Sequence, residues 1–236
     1  MLAHKKVLLP LAQHCKDPYI HSLPTHSQIE CGTELPDLPA MAKSVVLLQM
    51  LLASNVVDLE AITQVIRDDV GLTAQLLRLA LCESPQFSRR SLKLEELVVH
   101  LGLQKLRAMA AATKLLGCKP GDDVDLKACS AFWARARQTA HTAEQVAAEI
   151  SPQDRDLAYL AGLLRRLGSL PALLRWRIPG LDVAGPGEIG WRMAKSWNFP
   201  QVLVEIIRGE EQACRSRKSR WLLRLVNSAE PTTWCD

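Results

Sequence analysis

Two adjacent arginines interrupt one of the most apolar stretches of the chain, LAGLLRRLGSLPAL at residues 160–173. The pattern predicts a buried helix, in which an unpaired charge is costly. A guanidinium does not lose its proton, so neither Arg165 nor Arg166 can ligate a cation. Arginine is well suited to bidentate contacts with phosphate. The two side chains therefore argue against a metal ion at this position, and Arg165 is a candidate contact for an anion.

The helical repeat separates the two arginines. The predicted buried face of this helix consists of Leu157, Leu160, Ala161 and Leu164. Measured around the helix from Leu157, Arg165 lies at about 80° and Arg166 at about 180°. We therefore predict that Arg166 is solvated. Arg165 is predicted at the border, where its stem packs and its guanidinium reaches solvent or a partner.

A second group of residues that could bind a ligand is a basic cluster. It consists of Arg215, Arg217, Lys218, Arg220 and Arg224. Residues 1–150 carry no net charge, so residues 151–236 account for the whole formal charge of +4. Such a surface can contact nucleic acid or an acidic partner. Trp221 is the only aromatic residue among these basic residues, which is a poor basis for stacking nucleotides. A solvated helix end is the commoner structure, so we expect non-specific nucleic-acid binding only.

Other motifs do not supply a catalytic site. Four of the six histidines lie within the first 33 residues, at spacings that match no metal-ligand pattern, and only His100 and His141 follow. The GPGEIG segment at 185–190 fits the glycine pattern of dinucleotide sites, but the residues before it make a poor strand, so it predicts a Gly-rich helix start. Seven cysteines without a C-x-x-C pair argue against disulfides and structural zinc.

Helical periodicity extends over nearly all of the chain after residue 33, which predicts an all-α fold. Predicted helices start at Pro39, after the N-cap Asp58 and after Gly71, and cover 92–101, 103–116, 126–150, 188–197, a segment from Pro200, and 219–228. A capping box, Ser151-Pro152-Gln153-Asp154, predicts the start of the helix that carries the two arginines.

Breaks in the pattern predict the domain organisation. Residues 1–33 form an N-terminal extension, and GCKPGDD at 117–123 separates subdomains of about 34–120 and 121–236. No apolar run reaches the roughly 18 residues that cross a membrane. The start of the chain imitates a signal peptide, but its apolar run is short and no cleavage site follows. We therefore expect a cytoplasmic protein that does not bind membranes.

Six segments, in this order, resemble the HDOD family: ELPDLPAMAKSVVLLQML, VIRDDVGLTAQLLRLA, HLGLQKLRAM, FWARARQTA, AYLAGLLRRLGSL and WNFPQVLVEIIRGEE. The resemblance covers residues 34–226. HDOD proteins are bacterial output domains related to the metal-dependent phosphohydrolases of the HD superfamily. The resemblance therefore implies a multi-helix, HD-like fold over residues 34–236, with a helical subdomain at its N-terminal end.

The resemblance also gives a meaning to the paired arginines. In HD enzymes the equivalent helix carries a His-Asp pair that binds metal. The resemblance places Arg165 at the position of this histidine and Arg166 at the position of this aspartate. Arg135 stands where many HDOD sequences have a histidine after Phe-Trp. Arg135 and Arg165 are candidates to clamp a phosphate where the metal of the enzymes lies.

The remaining matched positions also lack the metal ligands of the enzymes. The next histidine of the motif falls near Pro186, and a His-His pair is replaced by Glu210-Glu211. The resemblance thus implies a degenerate metal site, with no metal and no cofactor, at Arg135, Arg165, Arg166, Pro186, Glu210 and Glu211. The candidate contacts for an anion or a partner are Arg135, Arg165, Arg215, Arg217, Lys218 and Arg220.

These observations predict a non-enzymatic scaffold in bacterial signal transduction. The resemblance implies a partner that is itself a signalling protein, of the GGDEF/EAL or two-component type, and we expect this partner to be a separate protein. Two alternatives stay open. One is a divergent metal-dependent phosphohydrolase acting on nucleotides or cyclic dinucleotides. The other is a nucleic-acid-binding regulator.

Overall fold

The computed structural model describes residues 37–89, 92–116, 124–176 and 184–230, all within the compact unit Cys31–Asp236. These residues form α1 (Ala42–Ala53), α2 (Leu59–Arg67), α3 (Val70–Glu83), α4 (Leu94–Ala112), α5 (Leu126–Ile150), α6 (Arg155–Leu164), α7 (Leu170–Leu173), α8 (Pro186–Ser196), α9 (Gln201–Arg208) and α10 (Arg217–Ala229). The predicted all-α fold is confirmed. No described helix is both long enough and apolar enough to cross a membrane.

The first four helices pack against one another. The Asp58 side chain accepts a hydrogen bond from the backbone N–H of Ala61, which confirms the predicted N-cap of α2. The carboxylate of Asp69 is fully buried and accepts bonds from the N–H groups of Gly71 and Leu72 at the start of α3. A cap of this kind satisfies donors that a helix leaves free at its first turn.

Helices α5 and α6 form the centre of the C-terminal part. The α5 helix has the predicted bounds, and α6 returns along it after a short turn. A side chain at Gly162 of α6 would collide with the backbone at Ala140 of α5, so glycine allows this close approach. The Tyr159 hydroxyl donates a 3.0 Å hydrogen bond to the carbonyl of Arg67, which connects this hairpin to the first four helices.

Helices α8, α9 and α10 pack around the C-terminal end of α6. A Cβ atom at Gly168 would collide with the carbonyl oxygen of Pro186, so the turn after α6 approaches the start of α8 very closely. The GPGEIG segment is a helix start, as predicted, with Gly185 in the N-cap position and Pro186 as the first helical residue. Gly187 and Gly190 of this segment serve close packing, because a Cβ atom at Gly187 would collide with the carbonyl of Arg208 and one at Gly190 with Ile207.

Several predicted boundaries are wrong, for identifiable reasons. Helix α1 begins at Ala42 rather than Pro39, because Ala40 forms an isolated parallel bridge with Leu115. The same pairing ends α4 at Ala112, short of residue 116. The break predicted at Gly102 is confirmed, since this residue has φ 72° inside α4.

The capping box predicted at residues 151–154 is also wrong. The Ser151 hydroxyl donates to the carboxylate of Asp154 instead of accepting a backbone N–H. Residues Pro152–Asp154 form a 3-10 turn, and α6 starts only at Arg155. The predicted extension at 1–33 and the breaker at 117–123 lie outside the described residues, and the division into subdomains stays a prediction.

Candidate functional site

The C-terminal end of α6 places both arginines at the edge of the core. Every residue from Leu157 to Leu164 is buried, which confirms the predicted apolar face of this helix. The helix ends at Leu164, and the chain turns at Arg165 and Arg166 before the 3-10 turn Leu167–Ser169. The two arginines therefore lie directly after the last residue of α6, where α9 and α10 pack against this helix.

Arg165 is enclosed, with only 12% of its side chain exposed. Its Nη1 donates to the carbonyl oxygen of Ile207 at 3.4 Å, and its Nε donates to Oδ1 of Asn227 at 3.2 Å. The Ile207 carbonyl belongs to the last turn of α9, where the helix dipole favours a cation. Arg165 thus joins the end of α6 to the end of α9 and to α10.

Gly209 makes room for this guanidinium. Gly209 terminates α9 in the left-handed conformation, with φ 80°. A Cβ atom at this position would collide with Nη2 of Arg165, so a larger residue would displace the guanidinium. The glycine therefore allows both the left-handed turn of the backbone and the close approach of the Arg165 guanidinium.

Arg166 forms a bidentate ion pair with Glu230. Its Nε and Nη2 donate to the two carboxylate oxygens of Glu230 at 3.0 and 2.5 Å, a bidentate geometry. Glu230 follows α10, and its side chain is only 9% exposed. The prediction that Arg166 is solvated is wrong: its side chain is 36% exposed and paired. The helical repeat could not show a partner that lies 64 residues further along the chain.

The electrostatics of the two arginines differ accordingly. Burial lowers the pKa of Arg165, the nearby Glu230 carboxylate opposes that change, and the like charge of Arg166 adds to it. An arginine remains charged at neutral pH in spite of such a shift. Glu230 also lies 3.9 Å from Nε of Arg165, so one carboxylate faces two guanidinium groups. We call Arg165, Arg166, Asn227 and Glu230 the arginine cluster.

The other positions matched by the HDOD resemblance surround this cluster or lie near it. Pro186 contacts the turn that follows Arg166, through Gly168. Glu210 pairs with Arg208 at 2.9 Å, and Glu211 pairs with Arg224 of α10. Both carboxylates are therefore engaged by cations outside the arginine cluster, and Arg224 lowers the pKa of Glu211.

Arg135 occupies a half-buried position on α5, and no hydrogen bond or ion pair of its side chain is found within the described ranges. The antiparallel hairpin of α5 and α6 places Arg135 at the same end as Arg165, because Gly162 packs against Ala140 further along α5. The phosphate clamp suggested for Arg135 and Arg165 stays a prediction. In the structure, Arg165 is already bonded to protein groups.

The basic cluster is partly neutralised by the fold. Lys218 pairs with Asp154 at 2.5 Å, and Arg224 pairs with Glu211. Arg215, Arg217 and Arg220 are exposed near the start of α10. The prediction of a solvated helix end agrees with these positions. A site for base recognition is not evident among them, since Trp221 packs against the core.

Sequence reasoning missed three residues of the arginine cluster and its surroundings. Asn227 and Glu230 lie at the end of α10, and no spacing relates them to the arginines of α6. Gly209 had a recognisable signal, because a glycine directly after a helix commonly adopts the left-handed cap. Among the residues that the structure describes, no group of three or more His, Cys, Asp or Glu side chains could hold a metal ion.

The comparisons with known proteins agree with this architecture. The MmoQ response regulator from Methylococcus capsulatus str. Bath is 22% identical over 83% of this chain and 86% of that one, with a TM-score of 0.63. A virulence factor from Campylobacter jejuni subsp. jejuni is 19% identical over 80% and 78% of the two chains, with a TM-score of 0.58. At these identities the likeness shows a shared fold.

No match is found among curated proteins. The family model of the HDOD domain matches residues 38–177, which is more than half of the chain. That match includes the arginines of α6 and the hairpin that carries them, and it confirms the resemblance drawn from the sequence. The chain therefore belongs to the HDOD family.

Proposed function

We propose that this HDOD protein is a non-catalytic regulator of the bacterial cytoplasm that works by binding another signalling protein. The observation that carries the proposal is the arginine cluster. At the positions that the resemblance matches to a metal-binding His-Asp pair, Arg165 and Arg166 hold α6, α9 and the end of α10 together. The residues that would do chemistry in an enzyme serve the fold here.

The donor set of this region does not fit a divalent cation. At an effective dielectric constant of about 20, a divalent ion ~4 Å from one guanidinium experiences roughly 8 kcal/mol of repulsion. The nearest carboxylate, Glu230, is bonded through both oxygens to Arg166. Glu210 and Glu211 are paired with other arginines. No step of hydrolysis can be derived from these groups.

A regulatory role is supported by the family and by the similar fold of a protein named a response regulator. A scaffold needs no reactive group, only a surface that a second protein recognises. We propose a partner of the GGDEF/EAL or two-component type. Binding of nucleic acid is non-specific in this proposal, through the exposed Arg215, Arg217 and Arg220.

The proposal is tested first by metal content and activity. The protein is purified without chelator, dialysed, and examined by elemental analysis, and its hydrolysis of nucleotides and cyclic dinucleotides is measured with added Mn²⁺. We expect no stoichiometric metal and no turnover. The proposal would be contradicted by one or two equivalents of Fe, Mn or Zn per chain together with hydrolysis whose rate changes in the Arg165→Met variant. The protein would then be an enzyme and not a scaffold.

The second arm identifies the partner. The full chain is used to capture proteins from the native cytoplasm at about 50 and about 200 mM salt, and binding to mixed DNA duplexes is titrated over the same range. We expect a protein partner at both salt concentrations and a fall in duplex affinity by orders of magnitude. Tight binding to one selected sequence at the higher salt, with no protein captured, would indicate a nucleic-acid regulator.

A further inference from the structure

Helix α1 is apolar on two sides, although only one side packs against the protein. Val45, Leu48 and Leu52 are buried in the core. On the opposite side Val46, Leu47 and Met50 face solvent, with Met50 66% exposed. These three residues follow the i, i+1, i+4 spacing of one helix face. A surface helix normally carries polar residues there, and none of the residues that the structure describes covers this face.

The apolar surface continues past the end of the helix. Val56, Val57 and Leu59 are exposed in the connection to α2 and at its start, and Val56 is 79% exposed. We call Val46, Leu47, Met50, Val56, Val57 and Leu59 the α1 face. Together these side chains expose on the order of 500 Å² of apolar surface, which is near the upper end of what monomeric proteins carry in one patch.

The charges around the α1 face are arranged by sign. At the start of α1 the side chain of Lys43 is exposed, and Lys114 lies nearby because its carbonyl accepts the N–H of Ala40. At the other end, Asp58 and Glu60 are exposed at the start of α2. Arg107 also lies at this end, bonded to the carbonyl of Leu52. One end of the apolar face therefore carries two lysines, and the other carries two carboxylates against one arginine. A surface of this kind is complementary to itself when turned by 180°.

We infer that the α1 face binds a second copy of this chain, with the two α1 helices antiparallel. In a twofold interface the same patch is used by both copies. A twofold axis near the middle of the exposed face places Lys43 of each copy over the acidic end of the other. Antiparallel α1 helices also oppose their dipoles favourably. Two α1 faces of on the order of 500 Å² each bury at most about 1,000 Å² in total, which is the size of a weak, reversible interface.

The test is sedimentation of the full chain over a range of concentrations. The wild-type protein is expected to dimerise reversibly. Met50→Asp places a charge in the centre of the face and is expected to abolish the dimer. Val99→Asp is the matched control, because Val99 is also exposed and apolar but lies on α4, outside the α1 face. Circular dichroism verifies that both variants keep the wild-type helix content.

A charge exchange tests the antiparallel arrangement. Lys43→Glu and Glu60→Lys are each expected to raise the dimer dissociation constant about tenfold, because each substitution changes two symmetry-related pairs. The double variant restores opposite charges and is expected to return to within about threefold of wild type. A monomeric wild-type protein, a dimer that survives Met50→Asp, or a double variant without rescue would each overturn the inference.

Discussion

Arg107 and Arg165 perform the same local task in two different parts of the molecule. Arg107 donates through Nε and Nη2 to the carbonyl of Leu52, at the end of α1, at 3.0 and 2.8 Å. Arg165 donates to the carbonyl of Ile207, at the end of α9. Both guanidinium groups therefore meet the negative end of a helix dipole. Arg107 is exposed, whereas Arg165 is enclosed by Gly209, Asn227 and Glu230.

The difference shows how burial changes the requirements of one interaction. An exposed guanidinium keeps its hydration, so Arg107 needs no further partner and contributes little. A buried guanidinium loses its hydration, so Arg165 requires acceptors from several elements. Those acceptors come from α9 and α10, and the arginine cluster consequently depends on the whole C-terminal part of the fold. Substitutions in the two regions should separate these effects.

The largest effect is expected for Glu230→Gln. The substitution removes the carboxylate that faces both Arg165 and Arg166, so the two neighbouring guanidinium groups lose the negative charge that they share. We expect a loss of about 3 kcal/mol in the free energy of unfolding, measured by urea denaturation. Glu210→Gln, at an exposed ion pair, is the control and should change little. Equal stability of the two variants would contradict the role assigned to Glu230.

Arg165→Met tests the buried cap directly. Methionine keeps an apolar stem but cannot donate to the carbonyl of Ile207 or to Asn227. We expect a loss of about 2 kcal/mol in the free energy of unfolding, because the carbonyl of the buried Ile207 loses its donor. A buried charge replaced by an apolar side chain sometimes raises stability instead. A variant more stable than wild type would show that Arg165 is kept for binding rather than for the fold.

Arg166→Ala is expected to cost about 1 kcal/mol in the free energy of unfolding. The bidentate bond to Glu230 is lost, but the side chain is partly exposed and solvent screens the pair. The solvated position predicted from the sequence would give no more than about 0.5 kcal/mol. The buried control Leu164→Ala should cost about 2–5 kcal/mol. Denaturation of both variants distinguishes these values, and a loss below 0.5 kcal/mol would restore the sequence-based interpretation.

The smallest effect is expected for Arg107→Ala, at about 0.5 kcal/mol in the free energy of unfolding. Arg107 itself is exposed, so the hydration of its guanidinium offsets most of the two hydrogen bonds that it donates to Leu52. The difference in the free energy of unfolding between wild type and Arg107→Ala should become smaller as the salt concentration is raised, because exposed charges are screened. Urea denaturation at low and high ionic strength measures both quantities. A loss as large as that of Arg165→Met would mean that burial does not explain the difference between the two arginines.

The amino-acid sequence determined the helices and the family of this protein. Each long helix has apolar residues at helical spacing, and this signal is local, so the bounds of α5 and the buried face of α6 were predictable. Local chemistry likewise predicted the Asp58 cap, the break at Gly102 and the helix start in GPGEIG. The ordered HDOD segments predicted which residues stand at the positions matched to a metal site.

Only the tertiary structure decided what those residues contact. The helical repeat predicted a solvated Arg166. In the structure Arg166 binds Glu230, which lies beyond the end of α10. The starts of α1 and α6 were set by the bridge at Ala40 and by the Asp154 turn. These contacts join residues far apart in the chain or compete with a local cap of similar strength. A local pattern carries no information about such partners, because their energy exists only once the helices have packed.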